Sequence, residues 1–341
     1  MHKPERYENA SFSRFYMESE VAKNTSNSRL LTISLPSNSA TIKQLLQQQI
    51  MAAMASSSRG IAAANLPKGI ELTSKTIPMY RLLDDSYVMY RSAIAFKLAS
   101  LLQLPAIKIA NQLATSFPTI NQETACQMCL DFKVEVVFPG WINFRLSDRT
   151  LATWLQQLIQ PSPITNEEKY TSPSSSPASP ASPAPSSSSR TLFLAQYAHA
   201  RCCSLLRLAH WQELIKLRDL EFKTSQGQFI EPNPIPWLIE EGAGIGQITL
   251  RLVHPAERCL IVQLLDVPDA IADPSQLNEV KLVTALSNAF EEFYRSCRIW
   301  GDVKTQTPKL AQARLGLVGL TQLSLRSLLQ DHLGIPAPIA L

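Results

Sequence analysis

Glycine is scarce in this sequence, with 11 residues in 341, while proline reaches 23. A phosphate-cradling parallel sheet relies on glycine-rich turns, so a doubly wound nucleotide fold is disfavoured and a helical one favoured. An excess of one charge is also lacking. With 32 Lys and Arg against 28 Asp and Glu, the net charge is only +4. That excludes a polycation that holds nucleic acid by bulk charge, and any such contact must be local. No apolar run approaches the roughly 18 residues of a membrane span, and the opening MHKPERYENASFSRFY has no apolar core of a secretory signal. The six cysteines read as reduced thiols of a cytoplasmic protein. What is present, 45% apolar and 18% charged residues over this length, suits about two domains with sizeable cores.

Residues 161–190 hold 7 Pro and 11 Ser, and only Ile164 and Tyr170 are large and apolar. Such a stretch buries too little surface to offset the entropy of ordering it, so it reads as a disordered linker whose flanking modules tumble independently. It divides the chain into an N-terminal extension, 1–80, partly disordered; an α+β module, 81–160; the linker; and an all-α helical bundle, 191–341. Thr41 to Ala55 has helical spacing with Thr41 as N-cap. Within the module a short strand near Tyr87–Met89, helices over 92–102 and 105–114, strands at 133–138 and 141–146 joined by Pro139-Gly140, and a helix over 147–159 are expected. The bundle is expected as helices over 192–208, from His254-Pro255, over 277–300 and over 308–333, the last stopped by Gly334 and Pro336. Gly242 to Gly246 looks like a hairpin turn.

Five ordered blocks then stand out: Gln196-Tyr-Ala-His-Ala-Arg201 running on to Arg207, His254-Pro-Ala-Glu-Arg258, Ala289-Phe-Glu-Glu-Phe-Tyr294-Arg-Ser-Cys-Arg298, Ala313-Arg-Leu-Gly-Leu-Val318, and Leu333-Gly-Ile-Pro-Ala-Pro338. Together they resemble the DALR anticodon-binding domain of arginyl-tRNA synthetases. Tyr90 to Ala99, Pro105 to Ala110 and Pro139-Gly-Trp-Ile-Asn143-Phe144 resemble the same family's amino-terminal additional domain, which touches the tRNA D-loop. In the family a nucleotide-binding catalytic domain lies between these modules. Here only 47 residues separate Phe144 from Leu192, too few for several βαβ units of about 30 residues each. Signatures of the His-Ile-Gly-His and Lys-Met-Ser-Lys-Ser type are absent from the sequence. The resemblance therefore implies a non-catalytic protein, no arginine–tRNA ligase activity, and binding of tRNA or a tRNA-shaped RNA.

It also implies the residues that touch RNA. Tyr197, His199 and Arg201 lie on the first bundle helix, where rings stack on bases and guanidinium meets phosphate. Between Tyr294 and Arg326 the cations Arg295, Arg298, Lys304, Lys309, Arg314 and Arg326 face a single acid, Asp302, a local excess of +5 suited to a phosphate clamp. Asn143 and Phe144 correspond to the D-loop-reading strand. Competing readings are ordinary ones: a core ring at Tyr197, a solvated face for the cations, a turn-closing Asn and a core Phe. The chain ends Pro338-Ile-Ala-Leu341, where the family closes on the anticodon with a terminal Met, which puts anticodon reading in question. Cys126-x-x-Cys129 lacks a second ligand pair, the five His are scattered, and no Ser/His/Asp set is nameable, so no metal, cofactor or catalytic residue is expected. The rival function is a protein-interaction scaffold, docking on a synthetase or other protein without RNA affinity.

Overall fold

The computed structural model describes residues 30–34, 41–56, 73–82, 87–117, 129–160, 187–222, 229–239, 248–273 and 277–341. Residues 1–29, most of the Pro/Ser segment, Cys126 and the Gly242–Gly246 turn lie outside the described residues.

The first part is built on a five-stranded sheet. Its strands are β1 (Leu30–Ser34), β2 (Met79–Leu82), β3 (Met89–Ser92), β4 (Cys129–Val137) and β5 (Trp141–Leu146), all antiparallel in the order β1-β4-β5-β3-β2. The β4–β5 hairpin forms where Pro139-Gly140 demands it. A Cβ on Gly140 would come within 2.7 Å of Ala106, so only glycine lets the turn pack on the helix that begins at Ala106. Strand alternation sends Phe132, Val134, Ile142, Phe144 and Tyr90 to one face. There Phe132 and Phe144 meet Phe117 edge to face, at ring separations of 5.6–6.4 Å. Helices α2 (Ile94–Leu102) and α3 (Ala106–Ser116) pack on the sheet, and α1 (Ile42–Ser56) packs on α3. Thr41 caps α1 as its sequence suggests: Thr41 Oγ1 accepts from the Gln44 amide at 3.2 Å and Gln44 Oε1 accepts from the Thr41 amide at 3.0 Å.

The sequence assigns residues before 81 to a separate extension, and here the structure differs. Strands β1 and β2 are the two edges of the same sheet, and α1 contributes Ile42, Leu46 and Ile50 to its core. A period-2 edge strand is short and weakly patterned, which is why it escapes a reading based on composition.

Helix α4 (Asp148–Ile159) follows β5, with Ser147 as N-cap. Then come α5 (Ser187–Trp211), two ribbons, β6 (Lys216–Leu217) with β7 (Phe229–Glu231) and β8 (Leu238–Ile239) with β9 (Thr249–Leu250), and the helices α6 (Pro255–Ile271), α7 (Glu279–Ser296), α8 (Asp302–Gln306) and α9 (Pro308–Ser327). A single π turn, Leu328–His332, extends α9 to Gly334 at φ +63°. The chain is thus an α+β part followed by a helical bundle, and the bundle carries two small ribbons that helical periodicity could not disclose. Helix α5 begins at Ser187, inside the expected linker. Pro185 is the last proline before it, and serine does not bar a first helical turn.

The two parts do not stand apart as the Pro/Ser composition suggests. Their apolar side chains form one contiguous core, with α4 lying between the sheet and the bundle. Polar contacts fix the same junction. Arg81, with 7% of its side chain exposed, pairs with Asp266 on α6, and Tyr90 Oη donates to Asp269 Oδ2 at 2.9 Å. Gln156 Oε1 accepts from the Ile235 amide and from Trp237 Nε1, each at 3.0 Å. Asp148 pairs with Arg258 at 3.2 Å and accepts from the Leu250 amide at 2.8 Å. Side chains from both parts thus meet across the junction.

Candidate nucleic-acid interface

The core face of helix α5 holds Ala195, Ala198, Cys202, Leu206 and Ala209. Its outward face also carries apolar side chains: Leu194, Tyr197, Leu208 and Trp211 are 49%, 53%, 38% and 68% exposed. Packed against α5 in the bundle, α7 presents Phe290 and Tyr294 one turn apart, their rings stacked at 6.3 Å. Between the two helices runs a groove of about 440 Å³ lined by Tyr197, Arg201, Asn288, Phe290, Tyr294 and Arg295, among others. Arg201 donates from Nη2 to Tyr294 Oη and lies over the Tyr294 ring at 4.8 Å. Arg295 is exposed and pairs with Glu291 at 2.9 Å and Glu292 at 3.5 Å. The groove therefore combines aromatic faces with two guanidinium groups, the pairing that stacks bases and meets phosphates. Tyr294 belongs to this site although the sequence reading did not single it out. Its i, i+4 spacing from Phe290, on a helix that also carries Arg295, was the available signal.

The other expected residues fall elsewhere. His199 is 1% exposed, so it has no surface to offer RNA. Its Nδ1–H donates to the Pro338 carbonyl at 2.8 Å, which leaves Nε2 to accept from Gln322 Nε2 at 3.0 Å. Burial pushes its pKa below the ordinary histidine value, outweighing the opposite effect of the Pro338 bond, and Arg326 adds to the lowering. This ring ties the C-terminal segment to α5. Arg314 likewise turns inward. Its side chain is 11% exposed, its Nε donates to Glu257 Oε1 at 2.6 Å, and its Nη1 donates to the Arg298 carbonyl. Arg326 donates to the Phe222 carbonyl at 2.6 Å and to Gln330 at 2.9 Å. Lys304 donates to Gln212 at 3.1 Å, while Arg298 and Lys309 are exposed. The expected clamp is thus dispersed, because a helical sequence running from 294 to 326 turns its cations to several sides.

Asn143 and Phe144 correct the sequence reading in the same way. Asn143 is 4% exposed and its Oδ1 accepts from Arg91 Nε at 2.8 Å, so its amide has no exposed base edge to read. Phe144 is fully buried in the aromatic trio under the sheet. Among the described residues no group of three or more His, Cys, Asp and Glu is placed to hold a metal ion, and no helix is long and apolar enough to cross a membrane. The buried thiols are held protonated by desolvation, Cys203 at about 12 and Cys297 at about 11.

Residues 195–341 match the DALR anticodon binding domain, and this match takes in α5 through the C-terminal segment. The Arginine--tRNA ligase of Moorella thermoacetica is 34% identical over 156 residues, 45% of this chain and 22% of that protein. Those of Synechococcus sp. and Heliobacterium modesticaldum are 31% and 33% identical over 146 and 156 residues. The chain spans about a fifth of the length of the curated relatives it matches. No solved structure matches. Residues 195–341 thus resemble a DALR anticodon-binding domain, and this part of the chain is similar to part of those ligases.

Proposed function

We propose that this chain binds tRNA or a tRNA-shaped RNA without catalysing aminoacylation. The observation that carries the reading is the α5–α7 groove, where Tyr197 and Tyr294 stand exposed beside Arg201 and Arg295 within the residues that match the anticodon-binding domain. Tyr197 has the freer ring and supplies a stacking platform. Tyr294, held by Arg201, fixes the guanidinium near the groove. Anticodon-type domains serve synthetases by holding RNA while a different domain does the chemistry, and a groove of this composition needs no nucleotide or amino-acid site. Support for a non-catalytic role comes from the short separation of Phe144 and α5 and from a family match confined to 195–341.

The test is direct titration of the purified chain with tRNA at low salt. Tyr197→Ala removes one stacking ring and should cost about 1–3 kcal/mol of binding, and Arg201→Gln should weaken binding while flattening its salt dependence. Arginine-dependent pyrophosphate exchange should be undetectable. One observation favours the scaffold reading: Leu194, Tyr197, Leu208 and Trp211 recur at heptad-like spacing along the outer face of α5. If no tRNA binds at low salt, that reading replaces the first.

A further inference from the structure

We infer that the cleft where the sheet meets the bundle is a phosphate-binding site formed by Lys133, Arg145 and Arg258. It encloses about 390 Å³. One wall comes from the first part of the chain: Lys133 on β4, Arg145 on β5 and Tyr87 just before β3. The other comes from the bundle side: Thr249 on β9, Val253, and Arg258 on the first turns of α6. The site lies apart from the α5–α7 groove and does not depend on it.

The charges are the argument. Lys133 and Arg145 sit directly opposite each other in the β4–β5 register. Like charges in that position repel, so the sheet carries a local cost that an anion would relieve. Neither residue has an ion-pair partner among the described residues. Arg258 from the far wall adds a third cation, with 11% of its side chain exposed. Against these three, Asp148 is the one carboxylate lining the cleft among the described residues, and it is already engaged by Arg258 and the Leu250 amide. Arg145 lays its flat face on the Tyr87 ring at 3.4 Å. That holds the guanidinium in one orientation and leaves its N–H edge to donate. In a half-enclosed cleft the surplus positive charge is screened less than on an open surface. Cations approaching from two walls suit a group with several equivalent oxygens, which is the geometry of phosphate. Since both parts of the chain supply donors, an occupied site also stabilises their docked arrangement.

Phosphate chemistry has two sources, a free small phosphate or the backbone of an RNA, and one set of variants separates them. The full chain is titrated with inorganic phosphate, followed by thermal melting and by calorimetry. Wild type should be protected in a saturable manner. The double variant Lys133→Gln/Arg145→Gln should lose at least about tenfold in phosphate affinity, yet melt no lower than wild type when phosphate is absent. A single-stranded RNA without terminal phosphates forms the second arm. If the backbone is the source, inorganic phosphate competes with this RNA, and the double variant flattens the salt slope by about 1.4 units, two cations at roughly 0.7 each. If the source is a small phosphate, the variant leaves RNA affinity unchanged. Tyr197→Ala should not alter protection by phosphate, which keeps this site's failure distinct from failure of the groove. The inference is overturned if phosphate fails to protect wild type, or protects the double variant equally.

Discussion

Replacing Arg314 by Met distinguishes an internal ion pair from an RNA contact at the position where the sequence and the structure differ most. Glu257, 1% exposed, has its two oxygens assigned: Oε1 accepts from Arg314 at 2.6 Å and Oε2 accepts from the His254 amide at 2.8 Å, closing the capping box of α6. Met fills much of the volume of the arginine stem, so little cavity cost is added. The carboxylate, however, keeps one of its two partners and loses its counter-charge. Breaking a buried pair from one side costs about 3–5 kcal/mol, because the remaining charge stays desolvated. Arg314→Met should therefore lose about that much in urea unfolding followed by tryptophan fluorescence. Adding Glu257→Gln removes the stranded charge, keeps an acceptor for the His254 amide, and should recover a large share of the loss. The double-mutant cycle then reads the pair as strongly coupled. Folded Arg314→Met should hold tRNA as wild type does. A loss under about 1 kcal/mol combined with weakened tRNA binding would refute this reasoning and return Arg314 to a phosphate-contacting role.

Three further outcomes follow from the same contacts. His199 titrates lower in the folded protein than its usual value near 6.5, so the unfolded chain takes up the proton first; stability is then whole above that value and falls as pH drops below it. Unfolding midpoints measured from pH 7.5 to 5 should fall with a slope that His199→Gln reduces. Asn143→Ala should cost about 1–3 kcal/mol of stability by stranding the Arg91 donor, and Phe144→Ala about 3–5 kcal/mol through a core cavity, while tRNA affinity of either folded variant stays unchanged; a selective binding defect in Asn143→Ala would restore its role in base reading. Gln156→Ala unpairs the Ile235 amide and the Trp237 indole at once, so scattering should show a larger, less compact particle, and an unchanged radius of gyration would contradict the docked arrangement.

Long periodic elements were legible in the sequence because their side-chain pattern repeats over several turns. Helices α4, α6 and α7, the Thr41 cap and the Pro139-Gly140 hairpin come through within a few residues of their expected bounds. Strands β6 to β9 have two or three residues each, too few to establish a period. Site residues were harder. Charge along a sequence does not state direction: Arg295 and Arg314 belong to one cationic stretch, yet one is exposed and the other holds a buried carboxylate. The composition of 161–190, most of which lies outside the described residues, says nothing of the apolar and polar surfaces that flank it. Arg81 and Asp266 are 185 positions apart, and no local pattern relates them.

The covalent joining of two docked bodies changes the strength their interface must have. Connected by one chain, the sheet part and the bundle meet at an effective concentration on the order of millimolar, so a contact too weak to hold separate proteins together suffices within one molecule. The dependence on connector length is shallow, with each doubling costing about 0.6 kcal/mol. Insertions or deletions in the Pro/Ser stretch should therefore be tolerated, while a single cut there makes docking depend on protein concentration. For these two bodies, continuity of the chain is itself a stabilising contact.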